Sequence, residues 1–356
     1  MVSGANWRNS TQRMLGEHPV EASAPCRIDS GGTWDIKAMA LPLAGIEPAT
    51  VNMALDLRTS VVLTPCDPGW VKISSEGFPG GEAFPVDRLP FLPPFGLFFA
   101  AVSHFGFHGI EVHIRSKAPV KSALGGSSTA LVALIKALSK AQAMLGERDL
   151  SPREILHLAY HLEDGISGGN CGLQDHAAAV YGGINLWKWR HGHPTSLFEK
   201  KALLDRKGQR ELSRCLLVAY SGKSHVSANI NRRWIQDFLS TRTRAGWIKV
   251  NDIVGQFAQA IEDLDWRKAA RLLQEEMAVR KEITPQAFIP ITAKLVSHAE
   301  ACGCGARFAG AGAGGSLWAL GEEKDIRKLK EIWKSVLSAV KNARVLDCRV
   351  DPMGVK

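Results

Sequence analysis

The segment Pro119-Val-Lys-Ser-Ala-Leu-Gly125-Gly126-Ser127-Ser128-Thr129 constrains the fold more than any other. Before it, over residues 109–116, Ile110, Val112 and Ile114 alternate as in a half-buried strand. After it, over residues 127–142, Leu131, Leu134, Ile135 and Leu138 recur at the three- and four-residue spacing of a helix with one buried face. A strand, a glycine turn and a helix start in that order bring free N–H groups and the positive end of the helix dipole to one place, where an anion can bind. The glycines allow close backbone approach, and the serine hydroxyls suit a phosphate oxygen or a magnesium ion. No Gly-Lys-Ser/Thr follows, so this is not the Walker phosphate loop. A glycine turn with a serine cap explains one or two of these residues but not the whole run.

Two further motifs lie downstream. Ser151-Pro152-Arg153-Glu154 carries a capping-box signal and predicts a helix ending near Asp164-Gly165. On that helix Leu156, Ala159 and Glu163 share a stripe, which turns Glu163 toward the core side and Asp164 onto another face. Then comes Gly172-Leu-Gln174-Asp175-His176-Ala177. Taken alone, Glu163 reads as a surface carboxylate at a helix end and Asp175 as a capping residue. The alternatives are a magnesium ligand and a base. The third motif, Gly305-Ala-Arg307-Phe-Ala-Gly310-Ala-Gly312-Ala313-Gly314-Gly315-Ser316, sits between the strand patterns 306–309 and 317–320, which argues against a flexible linker.

Other elements frame these motifs. Residues 49–56 and 60–64 read as two strands, 78–99 as a surface stretch leading into a helix over 96–105, and 183–188 and 216–220 as strands. Several helices are predicted between 227 and 301, one over 322–340, and a last strand over 345–350. The chain has 356 residues, enough for two domains, and strands and helices interleave without the regular alternation of a doubly wound sheet; both domains are therefore read as α+β. Residues 1–23 read as a loosely held extension, 24–195 as an N-terminal domain and 196–356 as a C-terminal domain. No apolar run is long enough to cross a bilayer and the first residues lack a signal-peptide core, so a cytoplasmic protein without a membrane partner is expected. Seven scattered cysteines argue for reduced thiols, and the Cys302/Cys304 pair has no partner ligands for zinc. The net charge of +9 is spread without aromatic interleaving, which suits an enzyme handling phosphates better than a nucleic-acid binder.

In this order and spacing the three motifs resemble the GHMP kinase superfamily, over about residues 24–315. Ala24-Pro-Cys-Arg27-Ile-Asp29-Ser-Gly31-Gly32-Thr33-Trp34-Asp35, followed by Thr50-Val-Asn52, is similar to the sugar-kinase branch, in particular bacterial heptose kinases and the kinase domain of fucokinase. The resemblance implies a two-domain α+β fold with a ferredoxin-like C-terminal domain and an active site in the cleft between them. It implies ATP and Mg2+, with Ala123, Leu124, Gly125, Gly126, Ser127, Ser128, Gly310 and Gly312 around the nucleotide, and Ser127 and Glu163 on the metal. By the same resemblance Asp175 is the catalytic aspartate, Arg27 steadies the reacting phosphate, and Asp35 and Gly32 contact the sugar. Lys223 and His225 are further candidates for the sugar or its phosphate, as is Arg280. The expected activity is phosphorylation of a sugar hydroxyl, the anomeric one of a heptose, heptose 7-phosphate or related sugar. Galactose, fucose or a non-sugar alcohol are alternative acceptors, a silent binding protein is the remote alternative, and a homodimer is left open. Departures from the family pattern are Ala123 and Ala313 in place of glycine, Arg307 in place of lysine, and a spacing from Arg27 to Asp35 shorter by one residue.

Overall fold

The computed structural model describes residues 4–31, 34–224 and 227–356. The N-terminal domain comprises α1 (Gly4–Glu17), β1 (Val20–Ser30), α2 (Lys37–Ala40), β2 (Ala49–Pro65), β3 (Trp70–Ser75), β4 (Glu82–Pro85), α3 (Gly96–Phe105), β5 (Ile110–Ser116), α4 (Gly126–Met144), α5 (Pro152–Ile166), α6 (Gln174–Tyr181), β6 (Ile184–Trp189) and β7 (Phe198–Ala202). Its spine is β2, a single 17-residue strand where two were expected. On one edge β2 pairs with β1 along its length; on the other it pairs with β6 through residues 49–53 and with β5 through residues 59–65. Its first seven residues are all buried, while the second half alternates, because helices cover both faces of the sheet only at the first end.

The C-terminal domain comprises α7 (Arg206–Arg214), β8 (Leu216–Tyr220), α8 (Ser227–Leu239), α9 (Arg244–Glu262), α10 (Trp266–Ile283), α11 (Pro290–Ala301), β9 (Gly305–Phe308), β10 (Ser316–Leu320), α12 (Glu323–Ser338) and β11 (Arg344–Leu346). Its sheet runs β11-β8-β10-β9 and is antiparallel throughout. That is the fourth, first, third and second strand of a split βαβ arrangement, as the ferredoxin-like expectation required, with the first crossover enlarged to four helices.

Three boundary readings need correction. Residues 11–23 are not a loose extension: Leu15 and Thr11 are buried, Gln12 Nε2 donates to Cys66 O at 2.5 Å, and residues 20–23 open β1. Cross-strand pairing of Asn185–Trp189 with Phe198–Ala202 carries the first sheet past residue 195. The chain end then returns to that sheet, where Arg58 pairs with Asp351 at 2.6 Å and Lys356 and Ser23 exchange backbone hydrogen bonds. The last strand is also shorter than expected, three residues from Arg344.

The two domains meet over a buried ionic network. Asp29 on β1 accepts from Arg307 Nη1 (2.7 Å) and from Gly310 N (2.8 Å), and Arg307 also contacts Glu276 on α10 at 3.1 Å. Glu276 in turn accepts from Ser30 Oγ at 2.9 Å and Gly31 N at 3.2 Å. Asp29, Glu276 and Arg307 are all 0% exposed, so each charge depends on the others for the solvation it has lost.

Candidate active site

A cavity of about 470 Å³ opens where the two domains meet. The turn into α4 forms its floor. Gly125 caps that helix with φ +77° and no side-chain cap bond, and the first helical hydrogen bond runs from Thr129 N to Gly125 O. The N–H groups of Gly126, Ser127 and Ser128, all cavity-lining, are thus left for an anion. A Cβ on Gly125 would also lie 3.1 Å from Asp175 Oδ2, so the turn needs glycine for its conformation and for the carboxylate beside it. Ala123 holds a left-handed conformation, φ +63°, where the family pattern has glycine, and Ala313 does the same at φ +58°.

Asp175 stands on the first turn of α6, and Arg27 Nε donates to its Oδ1 at 2.6 Å. Arg27 is buried because β1 turns it and Asp29, two residues on, to one face of the strand; its Nη1 also donates to Ala123 O at 2.7 Å. The paired carboxylates of Asp175 and Asp29 hold its guanidinium charged against the cost of burial. Leu124 is buried below the turn; it serves through its carbonyl, which accepts from Arg27 N at 3.1 Å.

Glu163, near the end of α5, accepts from Ser127 Oγ at Oε1 (3.0 Å) and from Ser128 Oγ at Oε2 (2.7 Å), and His176 Nε2 lies 2.7 Å from the same Oε2. Burial pushes this carboxyl up, but His176 and the two serines outweigh it and hold Glu163 below the usual carboxylate range. Asp164, on another face of the helix, is buried as well, and Lys37 Nζ on α2 reaches it at 2.5 Å. Sequence periodicity cannot see that α2 would supply this cation.

Asp35 is 2% exposed and lines the cavity. Gln174 N donates to its Oδ2 at 2.9 Å, and a Cβ on Gly172 would fall 1.8 Å from the same oxygen. Burial, assisted by the Asp175 and Asp29 carboxylates, pushes its carboxyl up to about 7 against the opposing Gln174 bond. Among the described residues its other oxygen, Oδ1, has no hydrogen-bond partner, nor do Gln174 Oε1 and Asn231 Oδ1, whose residues line the same cavity.

The remaining expectations divide. Gly310 lines the cavity, close to the Ala123 carbonyl and the Arg27 guanidinium; Gly312 packs instead against Ala287 and Phe308. Lys223 is exposed and outside the cavity lining, although its carbonyl accepts from Gly315 N at 2.8 Å and so steadies the glycine turn. Arg280 does not reach the cavity: it is fully buried among Trp234, Trp247 and Phe308. Gly32 and His225 lie outside the described residues. Sequence reading missed Gln174, Asn231, His176 and Cys171 as site members. Gln174 and His176 flank Asp175 and were within reach of a motif-based search, but Asn231 comes from α8 of the other domain, with no local signal.

Residues 96–183, which include the α4 turn, Glu163 and Asp175, match the GHMP kinases N terminal domain. The chain is 29% identical to the mevalonate kinase of Pyrococcus horikoshii over 195 residues, 51% of this chain and about half (54%) of that protein. It is 26% identical to the mevalonate kinase of Pyrococcus abyssi over 337 residues, 86% of this chain and 90% of that protein. Similar solved structures include Lactococcus lactis galactokinase complexed with galactose (TM-score 0.71, 16% identity, 99% of both chains). A D-glycero-D-manno-heptose 1-phosphate kinase from Bacteroides thetaiotaomicron (TM-score 0.67, 17% identity) covers 94% of this chain and 97% of its own. Streptococcus pneumoniae phosphomevalonate kinase in complex with phosphomevalonate and AMPPNP (TM-score 0.72, 14% identity) covers 94% of this chain and 99% of its own. At these identities the structural likeness is one of fold. The chain thus carries a GHMP kinases N terminal domain over residues 96–183 and is similar in sequence and fold to kinases that phosphorylate an alcohol group.

Proposed function

We propose that this protein transfers the γ-phosphoryl group of ATP to a sugar hydroxyl, the anomeric one of a heptose, heptose 7-phosphate or related sugar. One observation carries the choice of a sugar. Asp35 Oδ1, Gln174 Oε1 and Asn231 Oδ1 are three buried acceptors without partners in one cavity. Leaving each unpaired costs about 1–3 kcal/mol, so the site suits a ligand that brings several O–H donors. The carboxylate of a mevalonate-type acceptor brings no proton to donate to these oxygens. The sequence likeness to mevalonate kinases nevertheless makes such an alcohol the second reading, with the cavity-lining Lys121 as the cation for its carboxylate.

In this reading the N–H groups of Gly126, Ser127 and Ser128 hold the phosphate oxygens at the helix start. The apolar wall of Phe78, Phe95, Phe98 and Ile114 takes the nucleotide base. The donor set beside the phosphates fits magnesium: Glu163 is ionised, and both it and Ser127 offer hard oxygens at the cavity. These two residues would hold the ion, which when bound neutralises charge on the phosphate chain. Asp175, fixed by Arg27 and by the glycine turn, accepts the proton of the sugar hydroxyl as its oxygen bonds to the γ-phosphorus. The bond from that phosphorus to the bridging oxygen breaks, and ADP leaves. Arg27 and the helix start offset charge on the transferred group, so positioning and electrostatics do most of the work.

The test is a panel of heptose, heptose 7-phosphate, fucose, galactose, mannose and mevalonate, scored by ADP release, with the phosphorylated position read by NMR. A sugar should turn over, and Asp175→Asn and Glu163→Gln should each cut turnover by about 10²–10⁴-fold. Turnover of mevalonate with no sugar sinks the sugar assignment; near-parental activity of Asp175→Asn sinks the base.

A further inference from the structure

Cys171 has no part in the mechanism above, yet it lines the same cavity. The turn before α6 presents it there, and its Sγ makes only a weak contact, 3.1 Å, with the following carbonyl of Gly172. One ligand atom each from Glu163, Cys171 and His176 lies within 4.8 Å of the other two. His176 is 0% exposed, and neither ring nitrogen makes an aligned hydrogen bond even though Nε2 is 2.7 Å from the Glu163 carboxylate. A buried imidazole whose close polar neighbour is the Glu163 carboxylate, a thiol and that ionised carboxylate thus converge at one end of the proposed phosphate site.

We propose that Glu163, Cys171 and His176 form a binding site for a thiophilic divalent cation, zinc being the representative case, which overlaps the magnesium position and excludes magnesium from it. The binding half of this proposal stands on the three side chains alone; the exclusion half rests on the kinase reading given above. Magnesium takes oxygen ligands in an octahedron and keeps several waters, so it has no use for the sulfur or the imidazole. Zinc accepts all three donor types at about 2.0–2.3 Å, which in a tetrahedron sets ligand atoms about 3.3–3.8 Å apart, so side chains whose ligand atoms already lie within 4.8 Å of one another close on the ion by small rotations. Thiolate and imidazole together favour zinc over magnesium. On binding, the Cys171 thiol gives its proton to solvent and its sulfur bonds to the metal, while Glu163 turns from Ser127 and Ser128. The fourth position is left to water.

The test begins with cobalt(II) as a spectroscopic probe, titrated into the purified full-length protein without nucleotide or acceptor. The expected result is one equivalent bound, with a sulfur-to-cobalt charge-transfer band and the visible bands of a four-coordinate ion, both displaced by zinc. Cys171→Ser should abolish the charge-transfer band and weaken zinc binding by on the order of 100-fold, since loss of even an outer-shell partner costs 10–100-fold. Cys66→Ser, far from the cavity, should change neither. His176→Gln, with the thiol intact, should also weaken zinc binding. No charge-transfer band, or the same band in Cys171→Ser, overturns the site. Zinc should then inhibit turnover in competition with magnesium, and Cys171→Ser should relieve that inhibition. Cobalt binding through sulfur with inhibition that magnesium cannot reverse would refute the overlap while the site stood. No turnover with any acceptor would refute the kinase reading without touching the cobalt result.

Discussion

Asp35→Asn is expected to make the protein more stable at high pH and worse at binding its acceptor. The Asp35 carboxyl, 2% exposed, is pushed from 3.8 up to about 7, first by burial and then by the Asp175 and Asp29 carboxylates, against the Gln174 N–H. Between those two values the folded chain binds a proton that the unfolded chain has lost, so stability falls as pH rises from about 4 to about 7 and is level above. The rise from 3.8 to about 7 is worth about 4 kcal/mol at about 1.4 kcal/mol per tenfold change in acidity. Asparagine carries no charge and can still accept from Gln174 N, but its amide N–H groups need partners in a buried place, a cost of about 1–2 kcal/mol. A net gain of about 2–3 kcal/mol at pH 8.5 is the result. Urea denaturation of both proteins at about pH 4.5, 6 and 8.5 measures it, and the difference between the two isolates Asp35 from every other titrating group. The acceptor KM should rise about 10–100-fold, as for loss of a hydrogen bond to a charged group. A variant no more stable than the parent at high pH, or a difference that does not grow between about pH 4 and 7, would refute the account of the burial cost.

Asp29→Asn should cost about 3–5 kcal/mol at pH 7 by leaving Arg307 and Arg27 short of a buried partner. Because Arg307 and Arg27 outweigh burial and hold the Asp29 carboxyl low, its contribution is full above about pH 4 and fades as pH falls further, so denaturation curves of variant and parent should converge in acid. Ala123→Gly should stabilise by up to about 1 kcal/mol in thermal denaturation, since glycine removes the left-handed strain at φ +63° but adds unfolded-state entropy. Lys37→Met should destabilise by about 1–3 kcal/mol by stranding buried Asp164, and Lys37→Arg should restore most of it.

Local pattern made much of the architecture legible. The capping box at Ser151 and Glu154 forms as expected and the glycine turn at Gly125 adopts a positive φ, whereas α4 forms where its spacing predicts but is buried on all sides from Ser128 to Ile135 and not on one face alone. These features depend on neighbours a few residues apart, so the order of side chains alone determines them. Glu163 and Asp175 were ambiguous for the same reason: a carboxylate at a helix end looks alike whether it caps, solvates or binds. The extent of the first sheet, the packing of residues 11–23 and the return of the chain end to β2 depend on pairings between separate segments, such as Gln12 with Cys66 and Arg58 with Asp351, which no local rule specifies.

The sequence by itself determined that a strand, a glycine turn and a helix start would follow one another as a candidate anion site, with two acidic residues downstream. Only the tertiary structure decided what faces that site. It put Arg27 on Asp175, Lys37 on Asp164 and Asp29 on Arg307, and it brought Asn231 from the second domain and Cys171 beside His176. The physical reason is that burial makes a charge or polar atom depend on partners distant along the chain, and those partners are settled only by packing, within the first domain for Asp175, Asp164 and His176 and between the domains for Asp29 and Asn231.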